Sequence, residues 1–136
     1  MKDSMVWDTL VREAKEIASK ERILSKVLTE FIFERENLCD ALGWRLASRL
    51  VKNSVPESDI RDLIKKAFTS DREMLDSVEF DLIAVTERDP ACNDYISPFL
   101  YYKGFQALCC YRVANSLWKQ NRKDLALYLQ SLVAVV

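Results

Sequence analysis

Apolar residues recur along this chain at three- and four-residue steps, the period at which side chains return to one face of an α-helix. Val6, Leu10, Ala14 and Ile17 form a first stripe, and Ile23, Leu24, Val27, Leu28, Phe31 and Ile32 a second. Leu38, Leu42, Leu46 and Leu50 mark a third. A fourth runs through Ile60, Leu63, Ile64, Ala67 and Phe68, with Pro56 near its start, where a missing N–H is harmless. Ser70 and Glu73 stand at capping-box spacing and predict a fifth helix that turns Met74, Leu75, Val78, Leu82 and Val85 inward. That helix should stop near Arg88, because Pro90 disfavours helical geometry at Asp89.

Ser97 followed by Pro98 has the form of an N-cap with proline at the first helical position. Beyond it the apolar residues occupy two sides: Phe105, Leu108 and Val113 on one, Ala107, Tyr111, Ala114 and Trp118 on another. A helix apolar on two sides is buried or meets a second chain. Asn121 can start a last helix containing Leu125, Leu127, Tyr128, Leu129 and Leu132. The final residues, Leu132-Val133-Ala134-Val135-Val136, are apolar and mostly β-branched where a helix terminus is usually polar, and they are expected to dock into the core. No strand pattern or internal repeat competes. The expectation is an all-α fold, a compact bundle of about eight short helices forming a single domain over residues 1–136.

Composition narrows the function classes. Hydrophobic residues make up 49% and charged residues 30%, which favours a packed core over disorder. The 20 basic and 21 acidic residues form no basic block, so no nucleic-acid partner is expected. No apolar run is long enough to span a bilayer, and Met1-Lys2-Asp3-Ser4 leads into no signal-peptide core. No membrane partner is therefore expected, and a cytoplasmic location is. Cys39, Cys92, Cys109 and Cys110 include no Cys-x-x-Cys pair, and with no histidine in the chain a zinc site would need an unusual ligand set. No metal site is expected, and a disulfide framework does not suit a cytosolic chain of this size. Cys109 and Cys110 read as small, partly buried helix residues.

The missing histidine matters further. It removes the usual general base near neutral pH and any Ser-His or Cys-His pair. Gly43 and Gly104 are the two glycines, too few for a loop that cradles phosphate. This chain should be unable to complete a reaction alone.

Candidate chemistry concentrates in residues 87–105, ERDPACNDYISPFLYYKGF. Asp89 either closes a helix as an ordinary turn residue or holds its carboxylate towards a ligand. Arg88 is expected to fix the turn or pair with an acid. Tyr95, Tyr101, Tyr102, Phe105 and Trp118 are expected to serve packing or subunit contact. Asp71, Glu73, Asp76, Glu79 and Asp81 have the pattern of a solvated helix face with a cap.

The same region carries a resemblance. Arg88-Asp89-Pro90-Ala91, Tyr95, Pro98, Leu100-Tyr101, Lys103-Gly104-Phe105 and Ala107-Leu108 begin it. Tyr111-Arg112, Ala114, Leu117-Trp118, Gln120, Arg122, Leu125-Ala126 and Leu129-Gln130 continue it. At these spacings the chain resembles the N-terminal helical domain of bacterial and plant serine acetyltransferases. Glu36-Asn37-Leu38, Ala41-Leu42 and Leu46-Ala47 fit the same domain more loosely.

The resemblance implies acetyl transfer from acetyl-coenzyme A to the hydroxyl of L-serine, the committed step towards cysteine. In the family a left-handed parallel β-helix follows this domain and holds the histidine base, most of the coenzyme A site and a tail that engages O-acetylserine sulfhydrylase. The sequence ends about where that β-helix would begin, so those parts are expected to lie outside it. No cofactor is expected to bind this chain, acetyl-coenzyme A being the family's co-substrate.

By the resemblance, Asp89 reaches the serine site and also helps hold the inhibitor L-cysteine. The physical sense is direct: a substrate ammonium needs an anionic acceptor, and Pro90 stiffens the turn that supplies it. The resemblance further implies self-association, since in the family this domain helps two trimers pair. Two alternatives stand beside the enzymatic reading: a truncated, non-catalytic oligomerisation module, and a general helical adaptor.

Overall fold

The computed structural model describes residues 4–50 and 54–133. Its helices are α1 (Met5–Lys20), α2 (Ser25–Leu28), α3 (Leu38–Leu50), α4 (Glu57–Ser70), α5 (Arg72–Arg88), α6 (Ile96–Tyr101), α7 (Lys103–Lys119) and α8 (Lys123–Val133). A 3₁₀ turn over Arg22–Leu24 and a π turn over Thr29–Phe33 flank α2. No strand occurs among the described residues, and the expected all-α bundle is what forms.

The helical stripes become one core. Leu10, Leu42, Leu46, Ile64, Phe68 and Leu82 are essentially without solvent contact. The two closest helix pairs are α3 with α4 and α7 with α8. Gly43 explains the first. A Cβ built on it would lie 2.8 Å from the main-chain oxygen of Arg61, so only glycine lets α3 approach α4 this closely. Beside it the Trp44 ring lies between two guanidinium groups, Arg35 at 3.8 Å and Arg61 at 3.6 Å from the ring centroid. Asp40 is buried because it works as a cap. Its carboxylate accepts from the Glu36 N–H at 2.9 Å while its own N–H donates to Asn37 Oδ1 at 3.0 Å, and Lys65 Nζ stands 3.6 Å away.

Four local expectations are corrected. The second stripe does not make one helix, and Ile23 is 85% exposed. The chain passes from 3₁₀ to α to π geometry there, which rotates Ile23 away while Leu28, Phe31 and Ile32 stay inside. Ser70 does not cap α5, since it ends α4 with its hydroxyl donating to Ala67 O at 3.2 Å. Asp71 is the single residue between the two helices and caps both. Its N–H donates to Phe68 O at 3.4 Å, and its carboxylate accepts from Met74 N at 3.1 Å.

Ser97 and Pro98 likewise lie inside the first turn of α6. Its leading N–H groups go to carboxylates: Ser97 N to Asp94 Oδ1 at 2.9 Å, and Tyr95 N and Ile96 N to Glu13 Oε1, both at 3.1 Å. Asn121, finally, ends α7 rather than starting α8. It adopts φ 62°, and the N–H groups of Asn121 and Arg122 close back on Trp118 O at 3.0 Å and Leu117 O at 2.9 Å. Asparagine tolerates the left-handed geometry this closure needs. At the C-terminus Leu132 and Val133 are buried as expected, and residues 134–136 of the apolar end lie outside the described residues.

Candidate functional site

α5 ends where the sequence predicts, at Arg88, with Asp89 in extended geometry ahead of Pro90 (φ −107°, ψ 105°). The turn that follows is closed by hydrogen bonds within itself. Asp89 N donates to Val85 O at 3.0 Å, and Cys92 N donates to Asp89 O at 2.9 Å. Ala91 N donates across the proline to Asp89 Oδ1 at 2.9 Å. Cys92 is buried, and its thiol donates to Asp94 O at 3.3 Å. One carboxylate oxygen of the half-buried Asp89 is thus held by its own turn. Among the described residues Oδ2 accepts no hydrogen bond, so Asp89 acts as a turn residue with one carboxylate oxygen unpartnered.

Asp89 borders a cleft of about 340 Å³ between α5 and α7, lined also by Asp81, Val85, Arg88, Phe105 and Leu108 and by Gly104 at its edge. Gly104 sits at the second position of α7 with ordinary negative φ, and a Cβ built there would meet nothing within 4 Å. Neither backbone geometry nor packing within the chain calls for glycine at that place. Arg88, expected to fix the turn or pair with an acid, is exposed, and its side chain makes no hydrogen bond or ion pair among the described residues. Its position beside the C-cap lets the side chain remain in solvent, where helix-end carbonyls already favour a cation.

The cleft walls are fixed by polar contacts that periodicity does not reveal. Arg112 on α7 binds Asp81 on α5 through two nitrogens, Nε at 3.0 Å and Nη2 at 2.8 Å from Oδ2. The expectation of a solvated acidic face therefore holds for Asp76, which is exposed, but not for Asp81 or Glu79, whose side chains are 15% and 12% exposed. Both point towards partners on or beside the helix, Glu79 towards Arg72 at 3.4 Å.

Gln106 is buried and satisfied on both sides of its amide. Nε2 donates to Phe99 O at 3.1 Å and Leu100 O at 2.9 Å, and Oε1 accepts from Arg49 Nε at 2.9 Å. Arg45 Nε reaches the same Leu100 carbonyl at 2.9 Å. The corner between α6 and α7 is thereby tied to α3. A glutamine amid aromatic residues was the available signal, but its partners lie up to 57 residues away.

Of the aromatic residues, Phe105 is buried and Tyr95 and Tyr102 pack partly against the core, while Tyr101 and Trp118 are exposed. A hydrogen bond with Cys92, then burial and the nearby charges of Asp89 and Asp94, raises the Tyr102 phenol above its ordinary range, so it stays neutral beside the turn. Cys109 and Cys110 are fully buried rather than partly so, and all four cysteines are free thiols. Burial pushes Cys110 up to about 12 and Cys109 well above its usual value. No group of three or more Cys, Asp or Glu side chains among the described residues is placed to hold a metal ion. No described helix is long and apolar enough to cross a membrane. Chemically the site offers an anchored carboxylate at the rim of an open cleft, suited to a cationic group.

The family described as "Serine acetyltransferase, N-terminal" matches residues 6–110. The serine acetyltransferase of Haemophilus influenzae is 40% identical over 130 residues, covering 96% of this chain and 49% of that protein. Soybean serine acetyltransferase complexed with serine superimposes with a TM-score of 0.92 at 37% identity, over 96% of this chain and 54% of its own. A serine acetyltransferase in complex with cysteine gives 0.92 at 39% identity, over 98% of this chain and 56% of its own. The chain spans about half the length of the relatives it matches.

Proposed function

Because the chain belongs to the serine acetyltransferase family through that family's N-terminal domain, we propose that it is the helical half of an enzyme that acetylates L-serine from acetyl-coenzyme A. Its own contribution is Asp89, which accepts a hydrogen bond from the substrate's ammonium group. The observation that carries this reading is the divided use of the Asp89 carboxylate at the edge of the cleft: Oδ1 is held by Ala91 N at 2.9 Å, and Oδ2 accepts no hydrogen bond among the described residues. A carboxylate fixed in this way loses little entropy on meeting an ammonium. Relatives solved with serine and with cysteine fit one amino-acid site read by such an acceptor.

In the reaction, the serine hydroxyl oxygen attacks the thioester carbonyl, its proton passes to a base, and coenzyme A leaves as the thiol. This chain has no histidine, so the base belongs to a segment beyond it, as does the grip on acetyl-coenzyme A. A second role rests on a different observation. The apolar residues of α7 divide differently from the sequence expectation: Phe105, Val113 and Ala114 are buried, while Leu108, Tyr111 and Trp118 are each more than 40% exposed and lie along one side. An apolar face of that kind suits a second copy of the chain.

The test joins this chain to the second half of the Haemophilus influenzae relative. Asp89→Asn should lower catalytic efficiency towards serine about ten- to hundredfold, the worth of a hydrogen bond to a charged group, and weaken cysteine inhibition in parallel. Acetyl-coenzyme A affinity should stay unchanged. Unaltered serine kinetics and unaltered inhibition would return Asp89 to an ordinary turn residue. The chain alone should release no coenzyme A from acetyl-coenzyme A and serine. In sedimentation it should self-associate with rising concentration, and a Leu108→Glu, Tyr111→Glu pair should abolish this. A strictly monomeric parent chain would reject the assembly role.

A further inference from the structure

Glu13 lies on α1, 82 residues before Tyr95 at the far end of the segment that begins with the Asp89 turn. Its half-buried carboxylate nevertheless accepts the main-chain N–H groups of Tyr95 and Ile96, both at 3.1 Å to Oε1, with Oε2 at 3.4 Å from Tyr95 N. These N–H groups sit at the start of α6, and α6 has no side-chain cap of its own at Tyr95. We propose that Glu13 is a positioning residue for the substrate-binding carboxylate, anchoring the far end of the turn that presents Asp89. The inference rests on Asp89 being the ammonium acceptor.

The mechanical path is continuous. One end of the turn is Asp89, the residue that caps α5, held by its N–H to Val85 O. From there the bonds run Ala91 N to Asp89 Oδ1, Cys92 N to Asp89 O, Cys92 Sγ to Asp94 O and Ser97 N to Asp94 Oδ1. Each of these joins residues no more than three apart, so together they give the segment a shape without giving it a place. Buried Cys92 and Ile96 pack this segment against the bundle, and Glu13 is the side chain of a distant helix that holds its main chain by hydrogen bonds. Burial opposes its charged form and raises its pKa, and the two main-chain N–H groups are what offset that penalty. A carboxylate kept half-buried against its solvation needs those two donors where they are, which makes the clamp reciprocal.

Displacing a reactive group by about an ångström can cost up to about a hundredfold, so release of one anchor should be visible in kinetics. In the joined enzyme, Glu13→Ala should raise the KM for serine about tenfold, leave kcat and the KM for acetyl-coenzyme A within about twofold, and weaken cysteine inhibition. Glu13→Gln keeps one acceptor oxygen and should recover most of the loss. The effect should vanish in an Asp89→Asn background, where there is no charge left to position. In the 136-residue chain, Glu13→Ala should also accelerate hydrogen exchange at the Tyr95 and Ile96 amides.

An unchanged serine KM, an equal rise in the KM for acetyl-coenzyme A, or a full effect persisting in Asp89→Asn would overturn the inference. If Asp89→Asn is impaired and Glu13→Ala is not, only the role of Glu13 falls. If Asp89→Asn behaves as the parent, the substrate-site reading falls and this inference with it. Should Glu13→Ala lose its helical circular dichroism, Glu13→Asp, which withdraws the charge by one methylene, is judged by the same criteria.

Discussion

Gly43 and Gly104 are both helical glycines, and the surroundings of the two have opposite meanings. At Gly43 a Cβ would press on the Arg61 carbonyl oxygen at 2.8 Å, and the neighbouring indole lies between two guanidinium groups. Everything that glycine permits is contained within the α3–α4 pair. At Gly104 a Cβ would meet nothing, the backbone is unstrained, and the nearest features are the cleft and Asp89. Glycine in a helix loses about 0.5–1 kcal/mol relative to alanine, so a site with no internal use for it points outwards. One region is filled from within the chain, and the other leaves open space beside the cleft.

The largest effect should come from filling the closed region. Gly43→Val forces α3 and α4 apart or strains both, and should cost about 3 kcal/mol in urea unfolding. A loss below about 0.5 kcal/mol would mean that the pair relaxes freely and the contrast is weaker than drawn.

Arg112→Met tests the wall that joins the two regions. It leaves the Asp81 carboxylate, 15% exposed, without its guanidinium partner. A fully buried pair would lose about 3–5 kcal/mol on such a change, but Arg112 is 30% exposed, so about 2 kcal/mol is expected. Asp81→Asn in the same background should restore part of that, measured by a double-mutant cycle.

The inner side of α7 should show itself through pH. The Cys110 thiol is pushed up to about 12 by burial, above the value of about 8.5 for a free thiol in the unfolded chain. The folded state therefore holds its proton longer. The stability this contributes is complete below about pH 8.5 and is lost as pH rises towards 12, at about 1.4 kcal/mol per pH unit in between. Urea midpoints from pH 8 to 10.5 should fall in the parent and fall less steeply in Cys110→Ala.

The smallest effect belongs to the open region. Gly104→Ala should leave stability unchanged or raise it by up to about 1 kcal/mol, since nothing within 4 Å obstructs the methyl group. A loss above about 1 kcal/mol would show that Gly104 serves the fold after all.

Helix existence was legible in the sequence because the signal is local. The stripes through Leu38–Leu50 and Ile60–Phe68 are buried as the 3.6-residue period requires. The end of α5 followed from the proline at position 90, whose steric effect acts on its immediate neighbour. The substrate role proposed for Asp89 was suggested only by spacing shared with known enzymes. Local chemistry equally allowed a plain turn residue, and the hydrogen bond to Ala91 N shows that the turn role is real.

What the sequence alone determined was the all-α class and its core faces, along with the want of an imidazole base in this chain. Caps were decided by competition that a short motif does not describe. Ser70 lost to Asp71 because α4 kept Ser70 helical, and the α6 motif at Ser97 lost to carboxylates at Asp94 and, from 82 residues away, Glu13. Only the tertiary structure could pair Arg112 with Asp81 or seat Gln106 against α3. Such bonds depend on which helix faces which, a relation set by the packing of the whole core.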